Sequence, residues 1–166
     1  MKNFLRFSGS AAAALAFATF APSAVAQEAT TVWACQEVGM APPEPLGDRE
    51  GHSISVSQFS CRAESGPLNG GVSTGVGIWE WNGAKGVELS WSGVNRKPGA
   101  TLVYRGTEGK LTLTMTNGKE TGWTGSGRGT NVLATGGWAS MAGKSFTWTA
   151  KSVGPASQFS VEIKPE

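Results

Sequence analysis

The sequence predicts an all-β protein, a single antiparallel β-barrel of about eight strands, with a β-sandwich as the alternative. Strand-like runs recur about every ten residues, and turn residues separate them. Asn117-Gly118 lies between two such runs. Asn-Gly in that position is the strongest short-range signal of a β-hairpin, because both residues tolerate the positive φ of a type I′ turn. No sustained helical period follows the N-terminal segment, so little helix is expected.

The first 26 residues have the pattern of a secretory signal peptide. Lys2 and Arg6 precede an apolar run over residues 11–21, and Ala24-Val25-Ala26 is a small-x-small cleavage site. The apolar run is shorter than the roughly 20 residues of a membrane-spanning helix, and no later segment reaches that length. We therefore expect an exported chain that starts at Gln27, periplasmic or secreted, without a membrane span. An uncleaved N-terminal anchor is the alternative.

Removal of this segment would leave a chain without net charge. The sequence has 14 Lys and Arg and 12 Asp and Glu, and the loss of Lys2 and Arg6 makes the two counts equal. A neutral chain lacks the basic surface of a nucleic-acid binder, so no nucleic-acid partner is expected. The remaining length suits one domain with an adequate core.

Two cysteines, Cys35 and Cys61, are present, and an oxidising compartment would pair them. Closing this loop of about 26 residues would stabilise the folded protein by roughly 3 to 4 kcal/mol on the chain-entropy model. The bond would link an N-terminal extension, residues 27–51, to the first long strand. Two cysteines with a single histidine and no CxxC make a poor metal or redox site, so neither a metal nor a cofactor is expected.

The extension contains a Pro-rich loop, and the barrel domain is predicted over residues 52–166. Three prolines within Pro42-Pro43-Glu44-Pro45 forbid helix and disfavour a central strand. The first strand begins at His52 and places serines on one face. Its less polar face changes near Gln58, which predicts a β-bulge there.

The later strands follow from alternation and turn residues. They are predicted over residues 72–81, 87–91, 101–105, 110–116, 119–124, 130–138, 145–151 and 158–164. Asn82-Gly83 is a second hairpin signal. In the run before Asn117, the alternation predicts that Leu111, Leu113 and Met115 point inward and the intervening threonines outward.

Glycine is unusually common, with 24 in the chain, and many lie inside strand-like runs. Glycine within a strand usually marks a bulge, a bend or a close backbone approach, all of which a small barrel needs in order to close. Room for a ligand is the alternative interpretation. The GxGxG run at residues 125–129 lacks the lysine spacing and the following helix of a phosphate-binding loop.

The late glycine-rich runs also resemble a known family. Gly127-x-Gly129 is followed by Leu133-Ala134-Thr135-Gly136-Gly137, with Ala142-Gly143 shortly after. This pattern resembles the glycine-rich strands of allene-oxide-cyclase-like barrels, a calycin-type fold shared with dirigent proteins and several bacterial secreted proteins, over about residues 100–164. The resemblance implies a barrel with an interior cavity. The spacing departs from the family at Trp138-Ala139-Ser140-Met141, and no catalytic position of the family can be placed on this chain.

Seven tryptophans are the main indication of function. Three interpretations of these residues are open. The rings fill the core and cap the barrel ends, they line an apolar ligand pocket, or they form an exposed platform for sugars. For a pocket, the candidate ligand-binding residues are Trp79, Trp81, Trp91, Trp123, Trp148 and His52.

No catalytic motif names a reaction. A Ser-His-Asp arrangement around His52 and Asp48 lacks a GxSxG context, and a Glu80–Glu88 pair for glycoside chemistry has no further support. The leading hypothesis is an exported barrel that binds a small apolar or aromatic molecule. The alternatives are a cyclase- or isomerase-like enzyme that uses His52 or a buried Glu, and an interaction module of the cell envelope. Whether the protein is an enzyme, and its oligomeric state, stay open.

Overall fold

A computed structural model describes residues 29–154 and 157–166, so the predicted signal peptide lies outside the described residues. Strands make up most of the described part. These are β1 Thr31–Met40, β2 Glu44–Pro45, β3 His52–Ser65, β4 Val72–Asn82, β5 Lys85–Lys97, β6 Ala100–Thr116, β7 Lys119–Ala134, β8 Ser145–Ser152 and β9 Gln158–Pro165. A short 3₁₀-helix, Gly136–Met141, is the one helical element of the described residues, and no helix among them is long and apolar enough to cross a membrane.

The eight long strands close into a ring. From β3 to β9 each strand pairs antiparallel with the next one along the chain, and β1 pairs with both β9 and β3. The two-residue strand β2 pairs with β3 beyond the end of β1. The predicted all-β antiparallel fold of about eight strands is therefore confirmed, and the closed order of neighbours is that of a barrel.

Strand β1 closes the ring, although its residues belong to the predicted N-terminal extension. Cys35 lies directly opposite Cys61 in the β1–β3 ladder, and the two form a disulfide as predicted. The covalent bond therefore joins the first strand of the ring to its neighbour at one of the two ladders that close it. The cross-link holds β1 and β3 together in the unfolded chain as well, so it lowers the entropy cost of pairing these two strands when the ring closes.

Two hairpin turns agree with the sequence signals. Asn117 and Gly118 separate β6 from β7, and both have positive φ, 51° and 74°, as a type I′ turn requires. The second hairpin is also present, but Asn82 pairs with Lys85, so Gly83 and Ala84 form the loop. The strands that the sequence predicts separately over residues 101–105 and 110–116 are parts of the single long strand β6.

The interior face of β3 differs from the prediction. No register shift interrupts its pairing with β4, so Ser53, Ser55 and Ser57 share the inner face with Phe59. The expected change of face at Gln58 is therefore wrong. The irregularity lies on the facing strand, between Glu37 and Gly39 of β1.

The β6 prediction holds for two of its three inward residues. Leu111 and Leu113 line the interior, and the threonines after them are exposed. Met115 is instead 50% exposed, because the β6–β7 register shifts between Thr114 and Met115 near the tip of the hairpin. The alternation correctly identified the inner face but could not locate the end of the packed part of the strand.

The two ends of the ring are different. At one end, which we call the closed end, the loop over residues 66–71 and the 3₁₀-helix bring Leu68 and Trp138 over the strands, 3% and 2% exposed. Lys97 Nζ lies 4.8 Å from the centroid of the Trp138 ring and covers it from outside. The other end, the open end, carries the loop over residues 41–51 and the hairpin turns after β4 and β6.

Candidate functional site

The ring encloses a cavity of about 310 Å³, at the lower end of the range for ligand pockets. Its wall combines aromatic rings, aliphatic side chains and a few polar groups. The aromatic lining consists of Trp33, Phe59, Trp79, Trp81, Trp91, Tyr104, Trp123, Trp148 and Phe159. The cavity extends to the open end, where Pro43, Gly83 and Glu120 belong to its lining.

All five tryptophans predicted as candidate ligand-binding residues line this one cavity: Trp79, Trp81, Trp91, Trp123 and Trp148. They come from β4, β5, β7 and β8, so the closure of the ring brings them together. Trp33 of β1 is a sixth tryptophan of the lining, which the sequence did not single out. None of the chain's seven tryptophans, all within the described residues, is exposed. This burial leaves no exposed aromatic platform for a sugar.

Glycines inside the strands provide the room for these rings. Five aromatic residues each lie directly across a ladder from a glycine: Phe59 from Gly75, Trp81 from Gly86, Tyr104 from Gly93, Phe146 from Gly129 and Trp148 from Gly127. A Cβ added to any of these glycines would meet the facing ring at contact too close for real atoms. The rings therefore lie along the wall, over the glycine backbone, instead of filling the centre of the ring.

Trp91 is the centre of the aromatic cluster. Its ring centroid lies 4.9 Å from that of Tyr104, 5.6 Å from Trp148, 6.2 Å from Phe146 and 6.5 Å from Phe59. These separations lie within the range in which aromatic pairs attract one another, about 4.5–7 Å. The contacts hold the Trp91 ring in place as part of the cavity wall.

The cavity has a neutral polar floor toward the closed end. Tyr104 Oη and Ser73 Oγ are 2.9 Å apart and hydrogen-bonded, and Asn95 lies directly across the β4–β5 ladder from Ser73. All three side chains are buried. Burial raises the pKa of Tyr104 to about 12, and the hydrogen bond from Ser73 opposes part of that rise. Tyr104 is therefore a neutral hydroxyl at any physiological pH.

Three buried polar atoms of the lining have no hydrogen-bond partner among the described residues. They are Asn95 Oδ1, Trp33 Nε1 and Trp148 Nε1. Their residues are 3%, 2% and 5% exposed. An unpaired buried polar atom costs about 1–3 kcal/mol, so these three atoms are a cost in stability that the fold accepts around the cavity.

The upper wall and rim carry hydroxyl and carboxylate groups. Ser55 Oγ accepts a hydrogen bond of 2.8 Å from Trp81 Nε1, which fixes that ring. Glu37 and Glu120 also line the cavity. The pKa of Glu37 is raised, first because the carboxylate is partly buried and second because Glu120 is a nearby negative charge. Glu37 Oε2 is a further buried atom without a hydrogen-bond partner in the described structure.

His52 does not belong to the cavity. It lies beneath the Pro-rich loop, with its ring nitrogens at Asp48 Oδ1 and, 2.7 Å away, Glu80 Oε1. The hydrogen bonds to Asp48 and then Glu80 raise the pKa of His52, and the pKa of Asp48 is lowered in return. The structure thus separates His52 from the five tryptophans with which the sequence grouped it, and its bonds attach the loop to β4.

Glu80 and Glu88, the pair considered for glycoside chemistry, have separate surroundings. Glu80 is bonded to His52. The Glu88 carboxylate lies against the backbone of Gly106 and Gly109, where the β5–β6 ladder is interrupted between Val87 and Ser92. Adjacent positions of β4 and β5 place these two side chains on opposite faces of the sheet, so they do not form one site.

Within the described residues, no group of three or more His, Cys, Asp or Glu side chains could hold a metal ion. Comparison of the chain with family models, curated proteins and solved structures found no match. The resemblance to allene-oxide-cyclase-like barrels stays a prediction. Sequence reasoning missed Glu37, Asn95, Ser73 and Glu120 as lining residues, because nothing local distinguishes them from other polar residues of strands.

Proposed function

We propose that this protein is an exported binding protein that holds a small, largely apolar molecule inside its ring of strands. The observation that carries the proposal is the aromatic cavity itself. Six tryptophans line it, yet the rings of Trp79, Trp81 and Trp148 lie against glycines, and a space of about 310 Å³ remains. A sequence selected only for stability would be expected to fill that space, because protein interiors are packed with few voids larger than a water molecule.

The polar groups of the lining support a ligand that is not purely apolar. Ligand pockets combine a mostly apolar wall with a few polar groups that fix orientation. Here the floor carries the hydroxyl groups of Tyr104 and Ser73, and the wall carries the serine hydroxyls of β3, Ser53, Ser55 and Ser57. A small molecule with a hydroxyl or carbonyl group on an aromatic body would find hydrogen-bond partners among such groups while its body removes apolar surface from water.

Export is part of the proposal. The N-terminal segment has the features of a signal peptide, and the disulfide between Cys35 and Cys61 suits an oxidising compartment. We place the protein in the periplasm or outside the cell. Mass spectrometry of the exported protein would give a chain that begins at Gln27, and a chain that retains the first residues would contradict cleavage.

Binding can be tested with the neutral fluorescent probe N-phenyl-1-naphthylamine. Burial of an aromatic probe contributes about 25 cal/mol per Å² removed from water, so we expect saturable binding with a dissociation constant in about the micromolar range. The matched variants are Ser57→Phe and Gln58→Phe. Ser57 faces the cavity, whereas its neighbour Gln58 is exposed on the outer face.

Ser57→Phe should fill part of the cavity and weaken probe binding at least roughly tenfold, the range reported for a lost hydrophobic contact of about 1–3 kcal/mol. Gln58→Phe should leave the affinity unchanged. Equal affinities in the two variants would place the probe on the outer surface, and the absence of saturable binding would contradict the proposal.

A second candidate, an enzyme of the cyclase or isomerase type, is supported by Glu37 alone. Glu37 lines the cavity, and partial burial and the charge of Glu120 raise the pKa of its carboxyl group, as is common for acid–base groups of enzymes. Turnover of a ligand identified by the binding experiment, abolished by Glu37→Gln with binding retained, would favour this candidate. A ligand recovered unchanged from the wild-type protein would contradict it.

A further inference from the structure

The charge of the cavity has one sign. Among the described residues that line it, Glu37 and Glu120 are the charged ones, and no lysine, arginine or histidine contributes to the lining. The chain as a whole is not acidic, since it has 14 Lys and Arg against 12 Asp and Glu, and the two counts are equal without Lys2 and Arg6 of the predicted signal peptide. The negative charge of the cavity is therefore a local property and not a consequence of composition.

We infer that the ligand of this cavity is an amine, with an aromatic or alkyl body among the tryptophans and its ammonium group held by Glu37 and Glu120 at the open end. This inference rests on the proposed function and names the class of molecule that the same cavity would take. The class extends from primary amines, which are protonated at neutral pH, to quaternary ammonium ions, because all of them carry a positive charge.

The surroundings of Glu37 support a cation at this place. Its Oε2 atom is buried without a hydrogen-bond partner in the described structure, and Glu120 adds a second negative charge nearby. Burial and that charge both disfavour the ionised form of Glu37, which is why its pKa is raised. An ammonium group in the cavity would offset the repulsion between the two carboxylates, so it gains from an arrangement that is unfavourable without a cation.

The aromatic wall favours the same class of molecule. The faces of tryptophan rings attract cations, and enclosed aromatic groups are used to bind alkylated ammonium groups. Trp123 lies opposite Leu113 in the β6–β7 ladder, at the same end of the ring as Glu120, so the open end of the cavity has an aromatic ring as well as carboxylates in its lining. The apolar body of the ligand then extends toward Trp91 and the floor.

The floor sets the orientation of the ligand. Tyr104, Ser73 and Asn95 are neutral and buried, and no carboxylate of the lining lies among them. A charged group placed there would lose its hydration without gaining a counter-ion, which is strongly unfavourable. The ammonium group therefore belongs at the open end, and the uncharged body of the ligand lies toward the floor.

The test compares three naphthalene probes of nearly equal shape: 1-naphthylmethylamine, 1-naphthalenemethanol and the anion of 1-naphthaleneacetic acid. At neutral pH they are a cation, a neutral molecule and an anion. The affinity of each is measured by tryptophan fluorescence and by calorimetry with the wild-type protein and with Glu37→Gln/Glu120→Gln. Glu162→Gln serves as the control, because Glu162 is exposed and does not line the cavity.

We expect the wild-type protein to bind the amine roughly tenfold or more tightly than the alcohol, as for a charge-assisted pair that is partly buried, and the anion least. In the double variant the amine and the alcohol should bind with affinities within about threefold of each other, because the neutral contacts remain. Glu162→Gln should keep the wild-type preference. The preference should also decrease with salt, since Glu120 is exposed to solvent.

The outcomes separate the two proposals. Binding of the alcohol without any preference for the amine would overturn the cation inference and leave the binding function standing. A preference that persists in the double variant would also overturn it. Failure of all three probes to bind would overturn both. If the double variant loses the alcohol as well, Glu120→Gln alone decides, and an unchanged preference in that variant overturns the inference.

Discussion

The closed and open ends of the ring use the same kind of strands for opposite purposes. At the closed end the interior is packed, with Leu102 1% exposed and Trp138 held against Gly71. Toward the open end the side chains lie along the wall around the cavity, and the carboxylates of Glu37 and Glu120 belong to its lining. The comparison indicates that packing at the closed end contributes most of the stability of the ring. The open half is packed less tightly and contains the cavity.

The largest expected difference between the two ends is in the free energy of unfolding that is lost when an interior leucine is replaced by alanine. Leu102→Ala should lower the free energy of unfolding by about 2–5 kcal/mol, because a fully buried leucine leaves a cavity behind. Leu113→Ala should cost about 1 kcal/mol or less, because Leu113 is only half-buried and already borders open space. The alternation of β6 alone would have predicted a core-sized loss at Leu113.

Chemical denaturation of both variants, with m-values compared, measures this difference. The m-values should match that of the wild type if both variants unfold from the same compact state. Equal losses at Leu102 and Leu113 would mean that the open end is packed as tightly as the closed end, and the comparison would fail.

The next effect concerns the glycines that let aromatic rings lie along the wall. Gly93→Ala should destabilise the protein by about 1–3 kcal/mol, the usual cost of overpacking. The new Cβ would contact the Tyr104 hydroxyl and lie 2.6 Å from the backbone oxygen of Thr74, so the polar floor would have to shift. Gly137→Ala is the control, because a Cβ there meets nothing within 4 Å.

Thermal unfolding of these two variants distinguishes a packing role from a general effect of glycine removal. Gly137→Ala should leave the melting temperature nearly unchanged, and the near-ultraviolet signal of Tyr104 and the tryptophans should change only in Gly93→Ala. An unaffected Gly93→Ala would mean that the ring of Tyr104 is free to move, so the floor would not be a fixed part of the site.

A smaller effect is expected at the tip of the open-end hairpin. Gly118→Val should cost about 1–2 kcal/mol, the strain of a side chain in the left-handed region, because φ is 74° at this residue. A Cβ there has no neighbour within 4 Å, so the cost is in the backbone alone. Gly118→Asn, which tolerates positive φ, is the matched control. Equal melting temperatures for the Val and Asn variants would contradict the turn assignment.

The sequence predicted what depends on near neighbours along the chain. Asn117-Gly118 identified its hairpin, and the alternation of β6 placed Leu111 and Leu113 inside. The pairing of Trp148 with Gly127 depends on the register between two strands, which no local pattern contains. Ser55 belongs to the polar face of β3, yet it faces inward and accepts a hydrogen bond from Trp81. At β3 the interior of this ring does not follow the rule that the more apolar face is buried.

The candidate site was only half predictable for the same reason. Tryptophans are rare and large, so their number in the sequence already indicated an aromatic interior. Glu37 and Glu120 are ordinary glutamates of strands until closure of the ring places both on the cavity. His52, the single histidine, attracted attention by its rarity, but the structure uses it to attach the Pro-rich loop.

The smallest expected effect is a change of stability with pH that originates in Glu88. Its carboxylate is enclosed where the β5–β6 ladder is interrupted, and Oε2 has no hydrogen-bond partner among the described residues. Burial, with a smaller contribution from the charge of Glu108, raises the pKa of Glu88 from 4.5 to about 7. The folded protein therefore holds this proton more tightly than the unfolded chain does.

The sign of the effect follows from that difference in pKa. Below about pH 4.5 Glu88 is protonated in both states, and its burial is not opposed by charge. As the pH rises from 4.5 toward 7, the unfolded chain loses its proton first, so the folded state becomes progressively less stable relative to it.

Glu88→Gln keeps the shape of the neutral acid at every pH. The variant should match the wild type near pH 4.5 and melt a few degrees higher at pH 8, with Glu162→Gln as the control for a lost surface charge. Glu37, whose pKa is also raised, remains in both proteins, so the difference between their melting temperatures isolates Glu88. A melting difference that is the same at both pH values would mean that the Glu88 carboxylate is solvated, and the interruption of the ladder would then be open to water.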